Sequence, residues 1–319
     1  GVSPVEFDQQ TTMWTFGDTI LGSWKGEVSA ASTFSERTVV RGMICNSLAF
    51  TPRISAANIT ALPFVFHTEK GAVAQFIRHA RGENPLRIRL WAMDGIRLGD
   101  AVYVYYTYIR ILDPKKVMDM RVEATGIARW DVPAGWKPGG RVEFKRLAHV
   151  FNGVPVAYGA CVMRKDGYLY TVGQYAGKDS TLPVKIARVR EESIESGKEY
   201  EFLASDGSWT WDMDGACGFL GDVMGECSLS YNDHLGKYVM LYCRQWAGEL
   251  VMVAFRDFSE LGSAEKRVVY AMPPLPPQKR ESMAFYYSAK EVHSEGRDIY
   301  SIYINPLEYQ PYLVRINLR

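Results

Sequence analysis

One unit recurs along this chain: a strand, a tight turn and a second strand. Residues 158–173 read YGACVMRKDGYLYTVG, with a Lys-Asp-Gly turn between two alternating apolar runs. Residues 226–243, ECSLSYNDHLGKYVMLYC, and residues 286–304, YYSAKEVHSEGRDIYSIYI, have the same layout around Gly-containing turns. Residues 93–106, MDGIRLGDAVYVYY, are the same unit with a shorter first half. Turn residues between alternating apolar runs are the hairpin signal. Further strands follow each pair, clearest at 184–190, 250–256 and 312–318. Helical periodicity is nearly absent. Similar four-stranded units spaced along a chain predict an all-β, five-bladed β-propeller. The units start near residues 1, 91, 156, 226 and 284, and one closed domain over 1–319 accounts for the whole chain. Residues 50–89 read as an insertion in the first unit that carries loops over one face.

Propeller geometry decides which residues meet. The innermost strand of a blade starts at one rim, the second strand returns to that rim, and the third leaves from it. Residues 13–21, MWTFGDTIL, end a second strand at Gly17 with an acid, Asp18, at the break. A carboxylate there is costly to bury and easy to use, so it is either a turn cap or a site residue. Asn46 and Ser47 begin a third strand. Asp94, Tyr158, Glu226 and Tyr287 lie at or near the start of innermost strands, and Gln174, Arg244 and Asn305 follow second strands. These groups are expected to converge at the channel mouth as a polar set suited to a sugar.

Composition narrows the partners. With 37 basic and 36 acidic residues interspersed, net charge is +1, which argues against a nucleic-acid groove or a polybasic membrane patch. No apolar run approaches the ~18 residues of a spanning helix. Gly1 stands directly before strand-like sequence with no signal peptide, as expected of a mature chain whose leader has been removed. The nineteen Tyr and eight Trp suit strands, and they also suit sugar clefts, where an aromatic face covers the C–H face of a ring. Of the five cysteines, Cys217 and Cys227 flank a Gly-rich loop and could be bridged, though nothing requires it; none has metal spacing. The same holds for His67, His79, His149 and His234.

The segments WTFGDTILG, NSLAF, the YGA and DGYLYTVG pair, SLSYNDHLGKYVMLY and YYSAKEVH with DIYSIY resemble a family of five-bladed propellers built on an uncharacterised domain. That family includes bacterial endo-D-arabinanases and proteins named as glycosidases. More distantly, the blades are similar to the arabinanase, xylosidase, levansucrase and invertase group. The resemblance covers essentially the full chain. It implies Asp18 as the acid of a Gly-Asp-Thr motif, Asn46 and Ser47 as the polar pair after it, Tyr158 as a rim residue, Glu226 before its strand, and Tyr287 with His293 in blade five. Family members commonly carry another aspartate before a Gly that opens the first strand. Here Gly1 is the first residue, and Glu6 and Asp8 lie too far along to replace that acid.

Glycoside hydrolysis needs two carboxyl groups with different pKa values across the scissile bond. Asp18, following a Gly and facing backbone N–H groups, is expected to be the ionised member. Glu226, among Met224, Cys227 and Leu229, is expected to be the acid. Asp94 is a third carboxyl that orients or tunes, and Arg244 could pair with one of them. Substrate contacts are expected from Asn46, Tyr158, Gln174, Arg244, Tyr287, His293, Trp209 and Trp211. His293 reads more readily as a hydrogen-bonded structural histidine than as a ligand contact, and Trp209 and Trp211 as either an aromatic lip or packing between blades. The Pro-rich residues 272–279 read as a stiff connection between blades four and five. No protein-ligated metal is expected; a calcium or sodium ion in the channel is compatible with the architecture, without an acidic loop of ordered ligands. The expectation is a monomeric, secreted, periplasmic or cell-surface glycoside hydrolase acting on an arabinan-like or other furanose or pyranose polysaccharide. The alternative is a catalytically inactive propeller that binds carbohydrate or protein.

Overall fold

The computed structural model describes residues 1–25, 34–116, 119–177, 180–275 and 284–318. Five antiparallel sheets follow one another along the chain as the blades of a propeller. In blade one, β1 (Val2–Glu6) pairs with β2 (Thr11–Phe16). A hairpin of β3 (Thr19–Trp24) and β4 (Thr38–Ile44) leaves the rim before β5 (Ser47–Pro52) re-enters beside β2. The sheet ends on β6 (Val65–Phe66), and a small hairpin of β7 (Thr68–Glu69) and β8 (Ala72–Val73) completes the predicted insertion.

Blade two holds β9 (Ile88–Leu98), β10 (Ala101–Ile111), β11 (Met120–Asp131) and β12 (Lys145–Asn152). Blade three holds β13 (Ala157–Lys165), β14 (Tyr168–Gln174), β15 (Val184–Arg190), β16 (Glu201–Leu203) and β17 (Trp209–Thr210). Blade four holds β18 (Ser228–Asn232), β19 (Lys237–Arg244), β20 (Glu249–Phe255) and β21 (Lys266–Ala271). Blade five holds β22 (Tyr287–Glu295), β23 (Asp298–Asn305) and β24 (Gln310–Asn317). Of the Pro-rich connection at 272–279, residues 276–279 lie outside the described residues.

Second strands read as continuous apolar runs because blades pack on both of their faces. Most of β10, AVYVYYTYIRI, is buried, and its β-branched and aromatic side chains fit such a surface. The apolar core forms layers between successive blades rather than one central mass. Phe50, Tyr106 and Trp130 join blades one and two, and Tyr158, Phe151 and Phe202 join blades two and three. Val2, Trp14, Val292 and Ile304 close the ring between blades five and one. The innermost strands β1, β9, β13, β18 and β22 touch in turn around the axis.

Candidate active site

The turn at residues 17–19 is pinned from three sides. Gly17 N–H donates to the Gly1 carbonyl at 2.9 Å, the Thr19 hydroxyl donates to the Gly17 carbonyl at 2.9 Å, and the hydroxyls of Thr19 and Ser47 meet at 2.8 Å. This holds Asp18 at the floor of a cleft of about 320 Å³ walled by Trp24, Phe66, Tyr287 and Tyr309. Among the described residues, Asp18 Oδ1 is buried with no hydrogen-bond partner. Burial pushes its pKa up, against the pull of Arg89, the neighbouring Trp91 indole and the Gly1 amino group. Among the described residues no backbone N–H is bonded to Asp18 Oδ1, so the cradle expected to keep Asp18 ionised does not offset its burial.

Glu226, just ahead of the first strand of blade four, lies against the Gly1 end of β1. Gly225 precedes it with φ at 74°, where a side chain would be strained and would press on Tyr287 and Ser288. The segment is fastened by Met224 N–H to the Cys243 carbonyl at 2.8 Å and by Ser288 N–H to the Met224 carbonyl at 3.1 Å. Glu226 Oε1 lies 3.1 Å from the Gly1 nitrogen. Burial alone would raise its pKa, but the Gly1 amino group and Lys290 outweigh it and hold the group at about 2. The apolar neighbours expected to keep Glu226 protonated are thus outweighed by the charges that face it.

Tyr287 and Tyr309 interact with each other, and both phenols feel the charge of both Asp18 and Glu226. Asp18, Tyr287 and Tyr309 line the same cleft. Burial pushes both phenols upward, so they are neutral donors at ordinary pH. Tyr309 sits at φ 55°, a strained setting for a bulky residue and one that tends to accompany function. Tyr309 was not among the expected site residues. The signal available was its place just after β23, where Asn305 had been read as a rim residue.

Asp94 lies elsewhere. The first strand of blade two starts at Ile88 rather than Met93, so Asp94 is mid-strand and down the channel, not at its mouth. A register shift sets Met93 and Asp94 against Tyr105, a bulge that re-aims the side chain. Asp94 Oδ1 accepts from Gly95 N–H at 2.8 Å and Oδ2 from Val162 N–H at 2.7 Å. Burial raises its pKa to about 6 against the pull of Lys290 and those two bonds. Lys290, on β22, is only 3% exposed, and its Nζ donates to Ser3 Oγ at 2.7 Å. It is the buried cation that both Asp94 and Glu226 feel. It too was missed; its signal is a lysine amid the apolar residues of YYSAKEVH.

Other expected contacts are occupied by the fold. The Asn46 amide donates to the carbonyls of Ile77 and Leu90, both at 3.0 Å, and accepts from Phe76 and Ile77 N–H, which leaves no group for a sugar. Tyr158 is fully buried between Phe151 and Phe202. Gln174 donates to the Val223 carbonyl, and Arg244 pairs with Glu249 and with Asp222, at 3.5 Å from the latter. His293 lies near the far end of β22 from Tyr287, with Nε2 3.4 Å from Glu295. Trp209 packs on Tyr170 and Phe258 at the seam of blades three and four, whereas Trp211 is 66% exposed. All five cysteines are free thiols, so Cys217 and Cys227 are not bridged. Among the described residues no cluster of three or more His, Cys, Asp or Glu could hold a metal ion, and no helix is long and apolar enough to cross a membrane.

This is a five-bladed propeller, a fold shared with solved glycoside hydrolases. The "putative hydrolase" of Bacteroides ovatus superposes with a TM-score of 0.67 at 18% identity, over 99% of this chain and 84% of that one. The GH43_1 enzyme of Xanthomonas citri gives 0.53 at 14% identity, over 100% and 86% of the two chains. The native arabinanase Arb43A of Bacillus subtilis gives 0.50 at 11%, over 100% and 96%. At these identities the likeness is one of fold. The chain belongs to the family described as Domain of unknown function (DUF4185), whose model matches residues 3–315. No curated protein matches it.

Proposed function

We propose that this chain is a secreted, periplasmic or cell-surface glycoside hydrolase that cuts an arabinan-like or other furanose or pyranose polysaccharide in the Asp18 cleft. The observation that carries the reading is the bare, buried Oδ1 of Asp18 at the cleft, with the ionised Glu226 close to the same Gly1 end of β1. The pKa values of the two carboxyls are pushed apart by their surroundings, which is what the reaction asks of its acid and its carboxylate. Asp18 delivers its proton to the leaving glycosidic oxygen as the C–O bond breaks. Glu226 faces the anomeric carbon, either bonding to it or taking the proton of the water that does. The neutral phenols of Tyr287 and Tyr309 donate to sugar hydroxyls, and Trp24 and Phe66 offer ring faces at the cleft wall. A propeller of like shape from Xanthomonas citri is known in complex with xylotriose.

The test is hydrolysis of a polysaccharide panel, with D- and L-arabinans included, by wild type, Asp18→Asn and Glu226→Gln. Turnover by wild type should fall about 10²–10⁴-fold in each folded variant. Turnover that survives both changes moves the chemistry to other residues. A second reading is a catalytically silent propeller that holds a glycan or a protein in the same cleft. It is favoured by the buried cation Lys290, whose charge already acts on Glu226, and glycan binding without product release would select it.

A further inference from the structure

The insertion of blade one, between β5 and β9, supplies only Phe66 to the cleft described above. It nevertheless forms one wall of a second groove, of about 700 Å³, whose other wall is residues 139–145 ahead of β12. The volume lies in the range of ligand clefts. Phe50, Phe76 and Val142 lie buried along it. On its charged rim Arg78 pairs with Glu69 and Arg141 with Glu143, the latter at 3.0 Å, and Lys70 and Lys145 add two further cations. Such a lining offers polar donors and acceptors over an apolar floor, with a modest excess of positive charge.

Two observations join this groove to the Asp18 cleft. Phe66, 37% exposed, lines both. Gln75, in the groove wall, accepts from Cys45 N–H at 3.0 Å and from its thiol at 2.9 Å, and that same thiol feels the charge of Asp18. Between the two clefts the surface is apolar: Phe64, Val65 and Phe66 are exposed in succession, with Phe64 stacked on Phe66 at 6.0 Å. Neighbouring exposed apolar residues beside a cleft mark a binding surface more often than a bare one.

We infer that the groove between the blade-one insertion and blade two is a distal glycan subsite, so that the ligand is a chain of several sugars running from the Asp18 cleft across Phe66. This rests on the cleft being a glycan site. Phe66 then stacks on a sugar between the two clefts, and the groove holds units remote from the scissile bond.

The experiment is titration calorimetry of the Asp18→Asn protein with linear arabino- and xylo-oligosaccharides from disaccharide to long oligomer. Affinity should keep rising with chain length beyond the disaccharide. Phe66→Ala, and separately the exposed-site change Arg141→Ala, should lower long-chain affinity several-fold to about tenfold, about 1 kcal/mol, and so flatten the dependence on length. Affinity that is complete at the disaccharide, or a length dependence untouched by both changes, overturns the subsite while leaving the cleft in place. Binding to no glycan at all overturns both. Length-dependent binding by a wild type that releases no product keeps the groove and overturns only the hydrolase.

Discussion

Two aspartates from neighbouring blades, Asp18 and Asp94, meet opposite fates in this propeller. Burial raises the pKa of each. Asp94 has both oxygens engaged by backbone N–H groups inside the channel, whereas Asp18 keeps Oδ1 bare beneath an open cleft. The channel group has used its hydrogen-bonding capacity on the fold, and the cleft group has kept part of it. A propeller brings polar side chains to its axis whatever they do; what separates a structural acid from a reactive one is whether its acceptors are already filled. Lys290 stands at the boundary, since its charge is felt by Asp94 in the channel and by Glu226 under the cleft.

Removing that shared cation is the hardest blow to the distinction. Lys290→Met leaves two buried carboxyls without a common counter-charge, and loss of one partner in such a set costs about 3–5 kcal/mol. The urea midpoint at neutral pH should fall accordingly, and Glu226 should become easier to protonate. Lys290→Arg, which keeps the charge, should recover part of both effects. A loss within ~0.5 kcal/mol, as for an ordinary surface change, would mean that channel and cleft are electrically independent.

The acid range separates two carboxyls by sign. Asp94 moves from 3.8 to about 6, so in that window the folded protein binds a proton that the unfolded chain has released. Stability therefore falls as pH rises through it, by about 3 kcal/mol in all. Glu226 moves from 4.5 down to about 2, so its contribution, also about 3 kcal/mol, is complete above the upper value and is lost on acidification toward the lower one. Unfolding midpoints followed from acid to neutral pH should rise and then fall. Asp94→Asn should abolish the fall, and Glu226→Gln the rise. A wild-type profile that only rises would show that the channel aspartate is not strained.

Much of the ring was legible because each hairpin carries its own turn residues and alternation, which need no distant partner. The outward hairpin β3–β4 was not, since nothing in residues 19–44 distinguishes a strand that leaves the sheet from one that joins it. Asp94 was placed at the rim because a bulge opposite Tyr105 leaves no mark in the sequence. The pKa order of Asp18 and Glu226 was read from their chain neighbours, but Asp18 is raised by burial in the assembled ring and Glu226 is pulled down by charges from other blades, Lys290 of blade five among them. Trp209 and Trp211, two apart in the chain, are divided between a seam and solvent by tertiary packing alone.

The smallest test compares one hydroxyl from each region. Ser3→Ala removes the acceptor of Lys290 Nζ in the channel. The buried ammonium then has an N–H left unmet, which costs about 1–3 kcal/mol. Tyr309→Phe removes a phenolic oxygen from the cleft wall, where solvent can take over its role, and should cost about 1 kcal/mol or less. Turnover or glycan affinity should order the pair the other way, with Tyr309→Phe the more damaging because Tyr309 lines the Asp18 cleft and its phenol feels the charge of both Asp18 and Glu226. Should Tyr309→Phe prove the larger loss in urea unfolding and the smaller in binding, the cleft tyrosines would be part of the scaffold, and the reactive volume would shrink to the two carboxyls and Tyr287.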